Sequence, residues 1–170
     1  MIISLLIYII ICLIGYVMMN QLYKNNVMET LPVPKSEWLY YFIQFTWGLL
    51  ANLLGGIIAI VLICIGYRPY WHGRNFGFAL PINSGMSLGI FLFGPENAST
   101  HLKNHEHGHS IQNLYFGPLF FGLVAIPSVT RFWIREIMIK QGKKLQTKYD
   151  DIWFEGQATK TGDKFINSHK

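Results

Sequence analysis

Two long apolar runs dominate the N-terminal part of the chain. The first, Met1 to Met19, is interrupted by one serine and one glycine. At about 1.5 Å rise per residue, a helix of this length nearly crosses a hydrocarbon core of about 30 Å. The second run, Trp38 to Tyr67, has no charged residue and carries Trp and Tyr side chains at both ends, which is typical of membrane interfaces. The pattern predicts two spanning helices, at about 2–19 and 40–66.

A polar segment, residues 20–37, joins these helices and contains an Asn-Asn pair and the sequence Leu-Pro-Val-Pro. Such a turn-rich connection predicts a transmembrane hairpin over residues 1–67. A face of small residues at helical spacing predicts that the second helix packs closely on residues 2–19; its members are Gly48, Ala51, Gly55 and Ala59. A cleaved signal peptide is the alternative for the first run, but a basic start and an Ala-x-Ala exit are lacking, which favours a retained anchor.

Two later apolar runs are less regular. Residues 76–94 contain a proline and an Asn-Ser-Gly sequence, which would leave backbone groups unsatisfied in a spanning helix. They predict instead a β-hairpin of Phe76 to Leu80 and Ser87 to Phe93. Residues 114–130 contain two prolines and fit a buried or interfacial helix at least as well as a span. With the apolar and basic groups that follow, they predict a membrane-associated helix at about 114–139.

Composition agrees with a membrane protein, because 51% of the residues are hydrophobic and 14% are charged, against about a quarter charged in soluble domains. The net charge of +5 lies wholly in residues 67–170. By the positive-inside tendency, a basic cluster within these residues predicts a multi-pass protein of the cytoplasmic membrane with a cytoplasmic C-terminal part. Membrane proximity explains these cations more simply than nucleic-acid binding. They are Arg131, Arg135, Lys140, Lys143, Lys144 and Lys148.

Cys12 and Cys64 lie in apolar runs and indicate no disulfide framework.

Four of the six histidines lie between residues 101 and 109 and include the sequence His105-Glu106-x-x-His109. Residues four apart share one face of a helix, so two imidazoles can converge on a Zn²⁺ ion while Glu106 reaches its bound water. Ser99 or Thr100 offers a cap for this helix, and a Gly-Pro pair follows it. The alternative is a solvated polar helix whose histidines share no function.

Glu155 is the candidate third ligand. It follows Trp153 and Phe154, and a carboxylate among apolar neighbours is costly to bury unless it is paired or bound to a metal. The alternative is a surface glutamate at a helix start, where the helix dipole favours it. If zinc binds, we expect the Glu155 carboxylate within about 4 Å of both histidine rings.

The sequence His105-Glu106-His107-Gly108-His109 resembles the His-Glu-x-Gly-His form of zinc-dependent membrane proteases of the HtpX and CAAX prenyl protease type. Glu155-x-x-Ala158 is similar to their downstream Glu-x-x-Ala-Asp, with Thr159 in place of the aspartate. Residues 101–133 also resemble small uncharacterised bacterial membrane proteins with a metalloprotease motif.

This resemblance implies a gluzincin that binds one Zn²⁺ per chain through His105, His109 and Glu155, with Glu106 as general base. It implies a small zincin-like domain, here residues 68–170, and an edge strand before the motif helix. The expected fold is therefore an integral membrane, mainly α-helical protein with an N-terminal two-helix hairpin, a zincin-like domain and a minor β-hairpin.

The leading functional hypothesis is a membrane-bound zinc endopeptidase that acts on membrane-near polypeptides, with the lipid bilayer and a polypeptide as partners, no nucleic acid, and an open oligomeric state. The alternative is a non-catalytic membrane metal-binding or interaction protein with a degenerate protease domain. A histidine-box oxygenase is disfavoured because the histidines form one cluster rather than several. The candidates for stabilising an oxyanion are His72, His101, His107 and Tyr149, of which His107 is expected to be solvated.

Overall fold

The computed structural model describes residues 2–168, which form a mainly helical protein with a small sheet. The helices are α1 (Ile2–Lys24), α2 (Glu37–Thr46), α3 (Leu49–Cys64), α4 (Thr100–Phe116), α5 (Ile126–Lys140) and α6 (Trp153–Asn167). The strands are β1 (Tyr70–His72), β2 (Asn75–Leu80), β3 (Met86–Leu88) and β4 (Phe91–Pro95). A 3-10 turn (Gly117–Leu119) and a π-helical segment (Phe121–Ala125) connect α4 to α5, and a second 3-10 turn (Tyr149–Asp151) precedes α6.

Helix α1 is apolar on all sides and leaves most of its large side chains exposed. Its 23 residues extend about 34 Å. Within residues 2–168 it is the one helix that is long and apolar enough by itself to cross a membrane. Its buried side chains, Cys12 and Met19, join a core cluster with Leu123, Trp153 and Phe154. A helix that is long and apolar enough for the first predicted span is therefore present, and it continues to Lys24.

The second predicted span, 40–66, is two helices rather than one. Helices α2 and α3 are separated at Trp47 and Gly48 and are inclined at 92° to each other. The predicted two-helix hairpin is therefore not shown, and the expectation of one continuous helix is wrong. Taken together, α2 and α3 have the length and hydropathy that a membrane span needs. The bent pair fits either a broken span or a re-entrant loop.

Buried amide side chains account for this bend. The Gly48 N–H donates to the Ile43 carbonyl at 3.0 Å, so the Gln44 carbonyl loses its helical partner. Asn52 Nδ2 donates to that Gln44 carbonyl at 2.8 Å, and Asn113 Nδ2 of α4 donates to Gln44 Oε1, also at 2.8 Å. Buried backbone groups need such partners, and these amides supply them without any charge.

The small-residue face that was expected to pack on residues 2–19 is divided: Gly55 and Ala59 pack against the sheet, whereas Ala51 belongs to the core cluster that includes Cys12 and Met19 of α1. A Cβ atom at Gly55 would overlap the Leu88 carbonyl oxygen and lie 2.8 Å from the Phe91 ring. Ala59 shares a core cluster with Phe78 and Phe93. The sheet therefore covers the C-terminal half of the surface that the sequence pattern assigned to α1.

The sheet has the strand order β1-β2-β4-β3. β2 pairs with β4 in parallel, whereas β1 pairs with β2 and β3 pairs with β4 in antiparallel fashion. The predicted hairpin of 76–80 with 87–93 is therefore wrong. Its second strand is divided at Gly89, whose φ of +62° suits a turn between β3 and β4. This division leaves β3 at an edge of the sheet.

The predicted helix at 114–139 is also divided. Helix α4 ends at Phe116, and the chain turns by 119° before it continues into α5. The turn follows Gly117, which has a φ of +49° and is followed by Pro118, so helix-breaking residues coincide with it. Helix α5 itself leaves several apolar side chains exposed, among them Val129, Trp133 and Ile137, and its position at a membrane surface stays a prediction.

Candidate metal centre

Helices α4 and α6 cross closely and carry the candidate ligands. The Ser99 hydroxyl accepts a hydrogen bond from the Leu102 N–H at 3.1 Å and caps α4, as the sequence predicts. A Cβ atom at Gly108 would overlap the Ala158 carbonyl, and one at Gly162 would overlap the Asn104 carbonyl. Two glycines, one on each helix, therefore bring the helix backbones into contact at the crossing.

Gly108→Ala is expected to lower the free energy of unfolding by about 1–3 kcal/mol, because the new methyl group meets backbone rather than a flexible side chain. The helices must separate, so zinc affinity should fall as well. Thermal unfolding in detergent with and without zinc measures both effects.

Gly56→Ala on α3 is the matched control. Its Cβ atom would lie 3.6 Å from the Phe91 ring, an ordinary contact, so the substitution should leave stability unchanged or raise it by up to about 1 kcal/mol. Equal effects of the two substitutions would contradict the close crossing.

The candidate ligands His105, His109 and Glu155 converge. Glu155 Oε2 lies 3.1 Å from His105 Nε2 and 3.2 Å from His109 Nε2, and the two Nε2 atoms are 3.1 Å apart. All three side chains are buried, and Glu155 is fully so. The expected convergence within 4 Å is therefore confirmed, and the group can hold a metal ion.

The spacing of these atoms fits a tetrahedral cation site. Bonds of about 2.0 Å at tetrahedral angles place neighbouring ligand atoms roughly 3.3 Å apart. The other carboxylate oxygen, Glu155 Oε1, is buried and has no hydrogen-bond partner among the described residues. Such a buried, unpaired acceptor is costly unless a cation or a water molecule reaches it.

Hydrogen bonds from α4 and α6 fix the orientation of His109. Gln112 Nε2 donates to the Phe154 carbonyl at 2.8 Å and to Gln157 Oε1 at 3.1 Å. Gln157 Nε2 donates to the Met28 carbonyl at 2.8 Å, so both amides have assigned directions. Gln112 Oε1 therefore accepts from His109 Nδ1 at 2.8 Å. The Nε2 atom of His109 then faces Glu155, with a lone pair when the ring is neutral and with a proton donated to Oε2 when the ring is charged.

His105 has a similar support. Its Nδ1 atom lies 2.8 Å from the Thr159 hydroxyl, which can accept the Nδ1 proton and leave the Nε2 lone pair toward Glu155. Two imidazole lone pairs and a carboxylate oxygen then meet, and only a cation or added protons can hold them together. Thr159 therefore supports a ligand from the position where the resembling proteases have aspartate.

Sequence reasoning did not identify Gln112 and Gln157 as supports, although both lie one helical turn or less from a candidate ligand. Their spacing, Gln112 three residues after His109 and Gln157 two after Glu155, was the available signal.

Thr159→Val is expected to weaken zinc binding by about 10–100-fold, the usual effect of losing an outer hydrogen bond to a ligand. Valine keeps the shape of threonine but cannot accept the His105 Nδ1 proton. Competition with a zinc-binding dye measures the affinity.

Thr161→Val is the matched control. The Thr161 hydroxyl accepts from the Leu31 N–H at 3.1 Å, away from the ligands. Its loss should cost about 1–3 kcal/mol of stability, because a buried N–H is left unpaired, and should leave zinc affinity unchanged. Equal loss of zinc affinity in both variants would contradict the role of Thr159.

The charges at the cluster shift the pKa values of its members. Burial would raise the pKa of Glu155, but hydrogen bonds from His105 and His109 outweigh it and hold that pKa well below its usual range. Burial opposes charge on His109 as well, yet its hydrogen bond to Glu155 raises the His109 pKa to about 9. Burial raises the pKa of Glu106 despite both imidazoles, so Glu106 holds a proton more readily than an exposed glutamate does.

Two cavities open beside the cluster, and His105 and Glu106 line both. One, of about 280 Å³, also contains His109, strand β3 and an apolar wall that includes Phe120 and Trp133. The other, of about 410 Å³, extends toward His101 and Asp150. Gly85 leaves room for the Glu106 carboxylate, which a Cβ atom there would overlap. A molecule in the smaller cavity therefore has access to the candidate ligands.

Of the four oxyanion candidates, Tyr149 lines both cavities and His101 lines the larger one. His72 and His107 lie together elsewhere, with ring centroids 6.4 Å apart. The expectation that His107 is solvated is wrong, because its ring is fully buried against Phe165. Burial lowers the pKa of His107 to about 3, so its ring packs as a neutral aromatic group.

Arg131 positions Tyr149 beside the cluster. Its guanidinium group donates to the carbonyl oxygens of Lys148 and Tyr149 at 2.7 and 3.1 Å and lies 5.7 Å from the centre of the Tyr149 ring. Burial and the negative charge of Glu155 raise the pKa of Tyr149, so the hydroxyl stays protonated as a donor. The sequence pattern placed Arg131 in a basic cluster near the membrane surface and gave no sign of its contact with Tyr149.

No known family model matches the chain, and no similar curated protein or solved structure was found.

Proposed function

We propose that the protein is a membrane-anchored zinc endopeptidase that hydrolyses polypeptides near the membrane. The observation that carries the proposal is the convergence of His105, His109 and Glu155 within 3.2 Å, beside Glu106 and an open cavity. A purely structural ion-pair cluster would have no need of a second glutamate and an open cavity beside it.

The residues divide into ligands and reacting groups. His105, His109 and Glu155 would hold Zn²⁺, which when bound lowers the pKa of a coordinated water toward about 7 and polarises a carbonyl oxygen. The Glu106 carboxylate accepts the proton of the attacking water and donates it to the leaving amine. Burial raises the pKa of Glu106, which makes its carboxylate a stronger base than that of an exposed glutamate. The Tyr149 hydroxyl lines the same cavity and would donate to the developing oxyanion.

Strand β3 supports an extended polypeptide as substrate. It lies at the edge of the sheet and lines the cavity that contains His105, Glu106 and His109. An exposed strand edge offers N–H and C=O groups with which an extended peptide can pair. The apolar wall of the cavity favours an apolar side chain next to the cleaved bond.

The proposed location is the cytoplasmic membrane. Helix α1 supports membrane attachment, and the basic residues between 131 and 148 support a cytoplasmic C-terminal part.

Metal removal tests the proposed activity. The purified full-length chain in detergent should cleave members of a diverse peptide library, lose this cleavage on incubation with a chelator and regain it when Zn²⁺ is restored. The cleavage sites should show an apolar preference on one side of the bond. Stoichiometric zinc without cleavage of any peptide would contradict an enzyme and favour the non-catalytic metal-binding alternative.

A further inference from the structure

A groove of about 1010 Å³ lies between α1, α5 and residues 143–147. We call it the basic groove. None of the three candidate metal ligands lines it, and Glu106 does not line it either. The groove adjoins the larger cavity beside the cluster, with which it shares Arg135 and Leu145, but it does not reach the candidate ligands.

The lining of the basic groove has two chemistries. Its floor is apolar and includes Tyr16, Ile126, Ile134, Met138, Leu145 and Phe154. Four cations also line it, namely Arg131, Arg135, Lys143 and Lys144, and no Asp or Glu side chain of the described residues does so. The surface is therefore complementary to a molecule that is apolar along most of its length and negatively charged at one end.

No carboxylate of the described residues pairs with these cations. Arg131 and Arg135 donate to the carbonyl oxygens of residues 147–149, which are neutral acceptors. Lys143 and Lys144 are exposed, and no carboxylate of residues 2–168 lies within ion-pair distance of either. All four groups can therefore attract an anion.

Helix α1 places the floor at the depth of lipid chains. Tyr16 precedes the end of α1 at Lys24 by about 12 Å of helical rise. If α1 crosses the bilayer, Tyr16 lies in the hydrocarbon region while the end of α1 lies at the interface. Lys143 and Lys144, which are exposed and line the groove, would then be available to a headgroup.

We propose that the basic groove binds one anionic phospholipid, with its acyl chains on the apolar floor and its phosphate at Lys143 and Lys144. A free phosphate would leave the floor uncovered, and a zwitterionic lipid would leave four cations without a net counter-charge. The lipid would join α1 to α5 and to the segment that carries Tyr149.

Native mass spectrometry of the full-length chain in detergent, titrated with phosphatidylglycerol or phosphatidylcholine, tests this proposal. We expect one phosphatidylglycerol per chain to bind in preference to phosphatidylcholine. The double substitution Lys143→Gln and Lys144→Gln should lower phosphatidylglycerol affinity by about 30-fold, from roughly fivefold for each basic residue near a membrane surface. Thr130→Trp, which fills the groove, should weaken binding without changing the charge.

Lys140→Gln is the matched control, because Lys140 is on α5 but does not line the groove. It should leave the affinity unchanged, and unchanged zinc content in every variant shows that the fold is kept. Equal binding of the two lipids, equal loss in the control, or unaltered binding by Thr130→Trp would overturn the proposal in favour of general surface attraction. Inorganic phosphate that competes as strongly as the lipid would show a phosphate site alone.

Discussion

Glu106→Gln is expected to retain one zinc per chain and to lower the rate of peptide hydrolysis by about 10²–10⁴-fold, the usual contribution of general acid–base catalysis. Glutamine has nearly the shape of glutamate but cannot take the proton of the attacking water. Glu106 lines both cavities beside the ligands and is not one of the three converging groups. The substitution should therefore separate catalysis from metal binding.

The measurement combines metal content with single-turnover cleavage of the best peptide substrate. Zinc content equal to that of the unmodified chain excludes loss of the site as the cause of lost activity. Undiminished cleavage by Glu106→Gln would show that another group accepts the proton. Loss of zinc together with activity would instead place Glu106 among the ligands.

Glu155→Gln is expected to lower zinc affinity by more than 100-fold, that is, beyond the usual effect of losing an outer hydrogen bond to a ligand. Its carboxylate carries the negative charge that both imidazoles face, at 3.1 and 3.2 Å. A neutral amide removes that charge and can turn its NH₂ group toward the metal. Dialysis against buffered zinc, followed by metal analysis, measures the change.

Glu136→Gln is the matched control for this substitution. Glu136 lines the larger cavity, and it is not part of the converging group. Glu136 is half-buried and makes no ion pair with either imidazole, so the same change of charge should leave zinc affinity within about twofold. If both substitutions lower zinc affinity to the same extent, Glu155 acts through the general field and not as a ligand.

The candidate site could be predicted largely from sequence because its signals are local. His105 and His109 are one helical turn apart on a helix that Ser99 caps, and helical spacing brings their rings together. Glu155 is remote in sequence, but its apolar neighbours made an unpaired carboxylate costly. Its position opposite the histidines depends on the glycine contacts between α4 and α6, which no spacing within either segment reveals.

The fold was less predictable where pairing partners are distant. The alternation of residues 76–94 indicates strands but not which strands pair, so the parallel alignment of β2 with β4 could not be derived. Counting charges in the run 40–66 overlooked Gln44 and Asn52, which are neutral but need hydrogen-bond partners. The burial of His107 was also hidden, because its neighbours in space, Phe165 among them, lie on another helix.

X-ray absorption at the zinc edge of the purified chain tests the central claim most directly. The predicted spectrum has four ligand atoms at about 2.0–2.1 Å, with the multiple-scattering signature of two imidazoles and the remainder oxygen. In Glu155→Gln, zinc should be lost or the oxygen shell should change while both imidazoles remain. Sulfur ligands, more than two imidazoles, or no bound zinc in the unmodified chain would contradict a site formed by His105, His109 and Glu155.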